Sequence, residues 1–338
     1  MRKRRLFFRP GLILWGLLLL IAGNELFLVP AVTGMTPAQN RRLVIAIVPK
    51  SLDNPVFVDA KETAELTALK LNVVLEWIAP FKVDLEAQVK IVEGLIRKKV
   101  DGIAISCSEP QKFKDVIAKA NAAGIKVATM DADCPGSQRV FYCGTDNYQA
   151  GYACGEAMVN LVRQRGLSRK ELSIAVLTGG LNAHNLNERI RGFKSATKWL
   201  KLKYKALLSC DDDTTTGARE VEAYLKKNPE TDLFFFSGGW AFFGPIESMP
   251  LYQEWSRAGG IAVSMDTFYP VLQAAKKGFL QALVGQDFRT MGEFTVSYLV
   301  CAIKGLPIPS EYIYTGLERA DRSNYDQLLK VKKPWEMK

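Results

Sequence analysis

The chain has 338 residues, of which 48% are hydrophobic, 24% charged and 10% aromatic. That is enough for two ordinary domains and lies outside the ranges of disordered, collagenous or polytopic membrane proteins. The formal net charge is +10 and there is one histidine, His184, which excludes an HExxH centre or any multi-histidine zinc site built from this chain alone. No resident metal or cofactor is expected, and a Ser–His–Asp triad would have only one candidate base.

Part of the charge belongs to the first residues. Arg2, Lys3, Arg4 and Arg5 precede an uninterrupted apolar run over residues 11–23. This is short for a bilayer span of about 20 residues and fits the apolar core of an export signal. Residues 1–34 are therefore expected to be a signal peptide or an N-terminal anchor, with the rest periplasmic or extracellular. No cysteine follows Leu20-Ile21-Ala22-Gly23, so no lipid attachment is expected. Removing residues 1–31 leaves a net charge of about +6, spread without the clustering that nucleic-acid binding requires. The six cysteines stand at 107, 134, 143, 154, 210 and 301, with no CxxC. In an exported protein they fit either disulfides or buried free thiols, and Cys134 and Cys143 flank a Pro-Gly turn that a bond would close.

From residue 43 the chain alternates. A strand at 43–48 (LVIAIV) precedes helical spacing over 55–71, then come a strand at 72–77 and a helix at 85–97. Short strands follow at 102–105, 127–130 and 140–142, with a helix at 113–123. The pattern restarts with a helix at 147–165, a strand at 173–177, a helix at 187–200, a strand near 204–208 and a helix at 217–227. A strand at 233–236, a helix at 246–257 and a strand at 261–265 complete it. Near-continuous apolar strands separated by helices of a dozen residues predict parallel sheets covered on both faces. Two such series predict an α/β fold of two doubly wound parallel-sheet domains joined by a multi-crossover hinge, with a cleft between them. The expected domains are 41–145 plus 287–308, and 146–286 plus 309–325.

Open α/β sheets bind ligands beyond the C-terminal ends of their strands. Just past the apolar runs stand Asn54, Asp131, Arg189, Trp240, Asp266 and Gln286. Carboxylates accept from hydroxyls, arginine donates in a fork, amides do both, and aromatic rings pack on the C–H face of a sugar. The set suits a neutral polyhydroxylated ligand better than an anion. Gly179-Gly180 would otherwise cradle phosphate, but no GxxxxGK[ST] or GxGxxG accompanies it. Competing readings are helix caps for Asp131 and Asp266, a surface position for Arg189 and plain core for Trp240. His184 reads as a loop histidine and Lys50 as a solvated lysine near the pocket mouth. In Asp211-Asp212-Asp213, a helix cap by Asp213 or Thr214 is favoured over a calcium loop.

Six segments in order carry a resemblance: Ser51-Leu52-Asp53-Asn54-Pro55-Val56-Phe57, Asp131, Gly144-Thr145-Asp146-Asn147, Glu188-Arg189-Ile190-Arg191-Gly192-Phe193, Val263-Ser264-Met265-Asp266 and Ala282-Leu283-Val284-Gly285-Gln286. Over about residues 43–320 the chain resembles periplasmic sugar-binding proteins of the ribose/galactose type, the substrate-binding subunits of ABC importers. The resemblance implies that Asn54, Asp131, Arg189, Asp266 and Gln286 hydrogen-bond a sugar and that Phe57 packs on it, with Trp240 as a further ring platform. It also implies a monomer that closes around its ligand and docks on a membrane ABC permease. Three departures reshape the pocket: Ala132 where arginine is frequent, Gly238 where asparagine is frequent, and Val56 where a second aromatic is frequent. A ligand-presenting sensor for a histidine kinase or chemoreceptor would use the same fold. A repressor would begin with a helix-turn-helix, which this chain does not. A glycosidase would use Asp131 and Asp266 as acid and base, and is disfavoured.

Overall fold

The computed structural model describes residues 41–332 and 334. The export or anchor segment expected at residues 1–34 lies outside the described residues. Among the described residues no helix is long and apolar enough to cross a membrane.

The chain runs β1 (Val44–Val48), α1 (Val58–Lys70), β2 (Val74–Trp77), α2 (Leu85–Lys98), β3 (Gly102–Ile105), α3 (Pro110–Ala122), β4 (Lys126–Met130) and β5 (Tyr142–Thr145). It repeats with α4 (Asn147–Gln164), β6 (Glu171–Thr178), α5 (His184–Ala196), β7 (Lys201–Ser209), α6 (Thr214–Lys227), β8 (Leu233–Phe236), α7 (Pro250–Arg257), β9 (Ile261–Met265), α8 (Tyr269–Lys276) and β10 (Ala282–Gln286). Last come α9 (Phe288–Ile303), β11 (Tyr312–Thr315), β12 (Leu317–Ala320) and α10 (Tyr325–Val331). The strands form two six-stranded sheets ordered β11-β5-β4-β3-β1-β2 and β12-β10-β9-β8-β6-β7. All pairings are parallel except that of β12 with β10. This is the expected pair of doubly wound α/β domains.

The apolar strands are continuous because each face has its own cover. In β1, Ile45 and Ile47 pack toward Ala60 and Ala64 of α1 and Val296 and Leu299 of α9, while Ala46 and Val48 pack toward Val92 of α2 and Phe113 of α3, following the two-residue period of a strand. In β8, Phe235 stacks on Phe193 of α5 at 4.1 Å between centroids, and Phe234 and Phe236 turn to Tyr252 and Trp255 on the other face. The open edge at β7 carries exposed Lys201, Lys203 and Lys205, which discourage edge-to-edge pairing.

One boundary is corrected. Residues 309–325 were expected to belong with the second domain, but Tyr312–Thr315 pairs in parallel with β5, from Tyr312 opposite Tyr142 to Thr315 opposite Thr145. Tyr312 and Tyr314 set ring edges on Tyr142, and Arg139 lies 4.8 Å over the Tyr312 ring, which seats the strand on the first sheet. The chain thus crosses between lobes at Asp146, at Asp287 and at Gly316.

Helices α4 and α5 meet at glycines. A Cβ on Gly151 would stand 1.8 Å from Arg189 O, and one on Gly192 would stand 2.0 Å from Tyr148 O. The backbones touch there, and this contact sets the height of Arg189 above the second sheet.

Candidate functional site

The C-terminal ends of both sheets face one another across a cavity of about 30 Å³. The first lobe contributes Asn54 and Phe57 after β1 and Asp131 after β4. The second contributes Arg189 from α5, Trp240 after β8, Asp266 after β9 and Gln286 at the end of β10. All seven expected residues line this one space.

Local chemistry explains how each side chain is held. Asn54 Oδ1 accepts the Val56 N–H at 3.2 Å, capping a short 3-10 turn opened by Pro55, and Asn54 still reaches the cavity wall. Phe57 sets its edge on Phe288, with centroids 6.0 Å apart. Asp131 and Asp266 both have left-handed backbones, with φ of 62° and 75°, a conformation aspartate tolerates better than most residues and one that gathers at functional sites. Neither acid caps a helix. Asp131 accepts the Ser106 hydroxyl at 2.6 Å, and its own carbonyl accepts Tyr142 OH at 2.9 Å. Behind it, Asp133 accepts Arg139 Nη2 at 2.8 Å and the Cys134 N–H at 2.7 Å, so a buried ion pair fixes the turn that presents Asp131.

Trp240 is buried, and its ring lies over two glycines. A Cβ on Gly179 would fall 2.5 Å from the ring and one on Gly238 would fall 2.4 Å from it. The Gly179-Gly180 step is therefore a seat for an aromatic platform. Gly238 carries no side chain because the indole occupies that ground.

Arg189, only 2% exposed, is the centre of the polar network. Its Nε donates to Asn147 Oδ1 at 2.8 Å, one terminal nitrogen to Ser237 O at 2.9 Å and the other to Gln286 Oε1 at 2.6 Å. Gln286 Oε1 also accepts Thr145 Oγ1 at 2.9 Å, and its amide donates to Asp266 Oδ1 at 2.8 Å. Asp266 Oδ2 in turn accepts the Gly239 N–H at 2.8 Å. Thr145 ends a strand of the first sheet, so Gln286 binds both lobes at two of the three chain crossings. Arg191, two residues on, is exposed and pairs with Glu188, as helical spacing requires.

Sequence reasoning missed four lining residues: Lys50, Asn185, Asp212 and Phe288. The solvated Lys50 is corrected: it is 4% exposed, and its Nζ lies 3.4 Å from Asp212 Oδ2 on the opposite lobe. Asp213 does cap α6, accepting the Thr216 N–H at 2.7 Å, whereas its neighbour Asp212 turns into the cleft from a left-handed backbone. Asn185 precedes Arg189 by one helical turn and shares its face, a usable signal; its Oδ1 is buried with no protein partner. His184 is half-buried at the start of α5. Among the described residues no three His, Cys, Asp or Glu side chains are arranged to hold a metal.

Two cations, Lys50 and Arg189, thus face three carboxylates, Asp131, Asp212 and Asp266. Burial pushes the Asp131 carboxyl above the usual carboxylate range, against the opposing pull of Lys50, the Ser106 hydroxyl and Arg189. The folded protein then holds this proton more tightly than the unfolded chain does, so stability falls as pH rises from the ordinary carboxylate range through the raised value. Asp131→Asn preserves shape, tolerates the left-handed backbone and removes the buried charge. It should raise the melting temperature at pH 7 by about 1–2 °C, the shift that about 1 kcal/mol gives a protein of about 300 residues. Thermal melts of both proteins across pH 4–8 check this: the wild-type deficit should shrink toward acid pH, and a lower melting temperature for Asp131→Asn at every pH would refute it.

Comparison with known proteins agrees with the fold. Residues 45–307 match the periplasmic binding protein domain. The ribose import binding protein RbsB of Bacillus subtilis is 24% identical over 253 residues, covering 75% of this chain and 79% of that protein. Among solved structures, an ABC transporter solute-binding protein from Burkholderia graminis in complex with D-arabinose is 31% identical, with a TM-score of 0.77 over 86% of this chain and 98% of that one. GanP, a glucose-galactose binding protein from Geobacillus stearothermophilus, is 26% identical, with a TM-score of 0.76 over 84% of this chain and 99% of that one. These relatives are substrate-binding proteins and not enzymes. With two doubly wound lobes, three crossings and a polar cleft at the strand ends, the chain belongs to the periplasmic binding protein family.

Proposed function

We propose that this protein captures a monosaccharide or related polyol between its lobes, outside the cytoplasm, and delivers it as a monomer to a membrane ABC importer. The observation that carries the reading is the convergence of Asn54, Asp131, Arg189, Asp266 and Gln286 with Phe57 and Trp240 on one cavity. The carboxylates and amides take up hydroxyls, the guanidinium donates, and the two rings flank the sugar's C–H faces. A cavity of about 30 Å³ has room for a water or two, so a sugar enters only as the lobes part. Lys50 and Asp212 then exchange their mutual contact for contacts to the ligand. Closure follows from differential affinity, because both walls touch the ligand only in the closed form. The sugars bound by the relatives support the class of ligand, and the altered pocket at Val56, Ala132 and Gly238 argues against assuming ribose.

Calorimetric titration of the purified protein, stripped of co-purified ligand, with pentoses, hexoses, deoxyhexoses and polyols tests this. One member should bind one-to-one with a Kd near or below about 1 μM, equivalent to about −8 kcal/mol. Silence across the panel would defeat the reading.

A further inference from the structure

Two cysteines lie side by side behind the wall that carries Asp131. Cys107 follows β3 and donates its N–H to Ala132 O at 3.0 Å. Cys134 stands two residues beyond Ala132, and its thiol lies 3.0 Å from Pro110 O, on the loop that Cys107 begins. The loops after β3 and β4 interlock in this way, and both cysteines are free thiols in this structure. Both side chains are buried in the cluster between the first sheet and α2 and α3. The other cysteines are placed elsewhere. Cys143 faces Met291 O at 3.7 Å, which separates it from the Cys134 partner its sequence position offered, and Cys154 faces the Met265 sulfur at 3.6 Å. Cys210 follows β7 in the second lobe, and Cys301 sits on α9.

We propose that Cys107 and Cys134 join in a disulfide as the chain folds in an oxidising compartment, stapling the loops on both sides of Asp131. The oxidant is an external disulfide such as glutathione disulfide. The Cys134 thiolate attacks one of its sulfurs and expels a first glutathione thiolate. The Cys107 thiolate then attacks the Cys134 sulfur of the mixed disulfide and expels the second. Two protein thiols are oxidised, one glutathione disulfide is reduced to two thiols, and the two protons leave with the expelled thiolates. Attack by Cys107 first and resolution by Cys134 would give the same products, because the exchange takes place in the folding chain before burial distinguishes the two thiols. Because both residues are shielded in the finished fold, the bond forms during folding and is afterwards protected from reduction. Ser106 precedes Cys107 and holds Asp131 Oδ2, and Asp133 precedes Cys134, so the staple clamps both flanks of the acid.

The inference rests on the extracytoplasmic placement only for its occurrence in the cell, and its test needs no ligand. The full chain is unfolded with reductant, refolded into a buffer of oxidised and reduced glutathione, then denatured, alkylated without reductant, digested and weighed. The expected result is one peptide pair linked through Cys107 and Cys134, with the other four cysteines alkylated. The oxidised protein should melt about 3–6 °C above the same protein held reduced, and the Cys107→Ser/Cys134→Ser double variant should melt alike in both buffers. Six alkylated cysteines, or a bond between any other pair, would overturn the proposal, as would a redox-dependent melting temperature in the double variant.

Discussion

Arg189→Ala should weaken sugar binding by about 30-fold to several thousand-fold, the range that 2–5 kcal/mol spans when one partner of a buried charged hydrogen-bond set is removed. The loss has two sources. The ligand forfeits a charge-assisted donor, and three acceptors, Asn147 Oδ1, Ser237 O and the shared Gln286 Oε1, lose the guanidinium that orients them. Gln286 then keeps only Thr145 and Asp266, so the amide that bridges the lobes loses its charged partner. Arg189→Lys separates charge from geometry: an ammonium restores the positive charge but cannot reach three divergent acceptors as a planar fork does. Its affinity should therefore fall between those of wild type and the alanine variant. Calorimetry with the sugar identified in the panel, alongside denaturant unfolding, reads both effects. Wild-type affinity in Arg189→Ala would remove Arg189 from the site.

Gly151→Ala should destabilise the fold by about 3 kcal/mol or more through forced separation of packed backbone. The added methyl would stand 1.8 Å from Arg189 O and 2.5 Å from its carbonyl carbon, atoms of a helix backbone that cannot swing aside as a side chain can. The expectation runs against helix propensity, which favours alanine over glycine by about 1 kcal/mol. Gly94 on α2 supplies the control, because its nearest neighbour to an added Cβ is the flexible end of Arg97 at 3.8 Å. Gly94→Ala should be neutral or stabilising by up to about 1 kcal/mol. Urea midpoints of the two variants should move in opposite directions. Since the clash falls on the residue whose side chain enters the cleft, Gly151→Ala should also weaken ligand binding in whatever fraction remains folded.

Where sequence patterns were strong, they were read correctly. The run LVIAIV and the triplet Phe234–Phe236 are buried on both faces, so they announce a parallel sheet without alternation, and the strand-end rule then points to Asp131, Asp266 and Gln286. What the sequence hides is partnership across the cleft. A lysine after a strand is usually solvated, and nothing near Lys50 in the chain shows that Asp212, 162 residues away, buries and pairs it. Helix α9 packs between α1 and the first sheet, and its polar stripe is narrow, Arg289 and Glu293 being its exposed members, so its period is weak in the sequence. Strand β11 is a four-residue edge strand with alternating exposure, too short to signal which sheet it joins.

That late strand bears on the order of folding. The first lobe lacks its covering helix α9 and its sixth strand β11 until all of the second lobe but β12 and α10 has been made. A fragment ending at Thr145 leaves the Ile45 and Ile47 face without Val296 and Leu299 and leaves β5 as a bare edge. Such pairings, distant in sequence, are slow to form and prone to misassociation while they wait. The first lobe is therefore not an independent folding unit, and the piece ending at Asp146 should aggregate rather than fold as a domain. The crossings at Asp146, Asp287 and Gly316 that allow the lobes to move in the finished molecule are the same ones that oblige them to be born together.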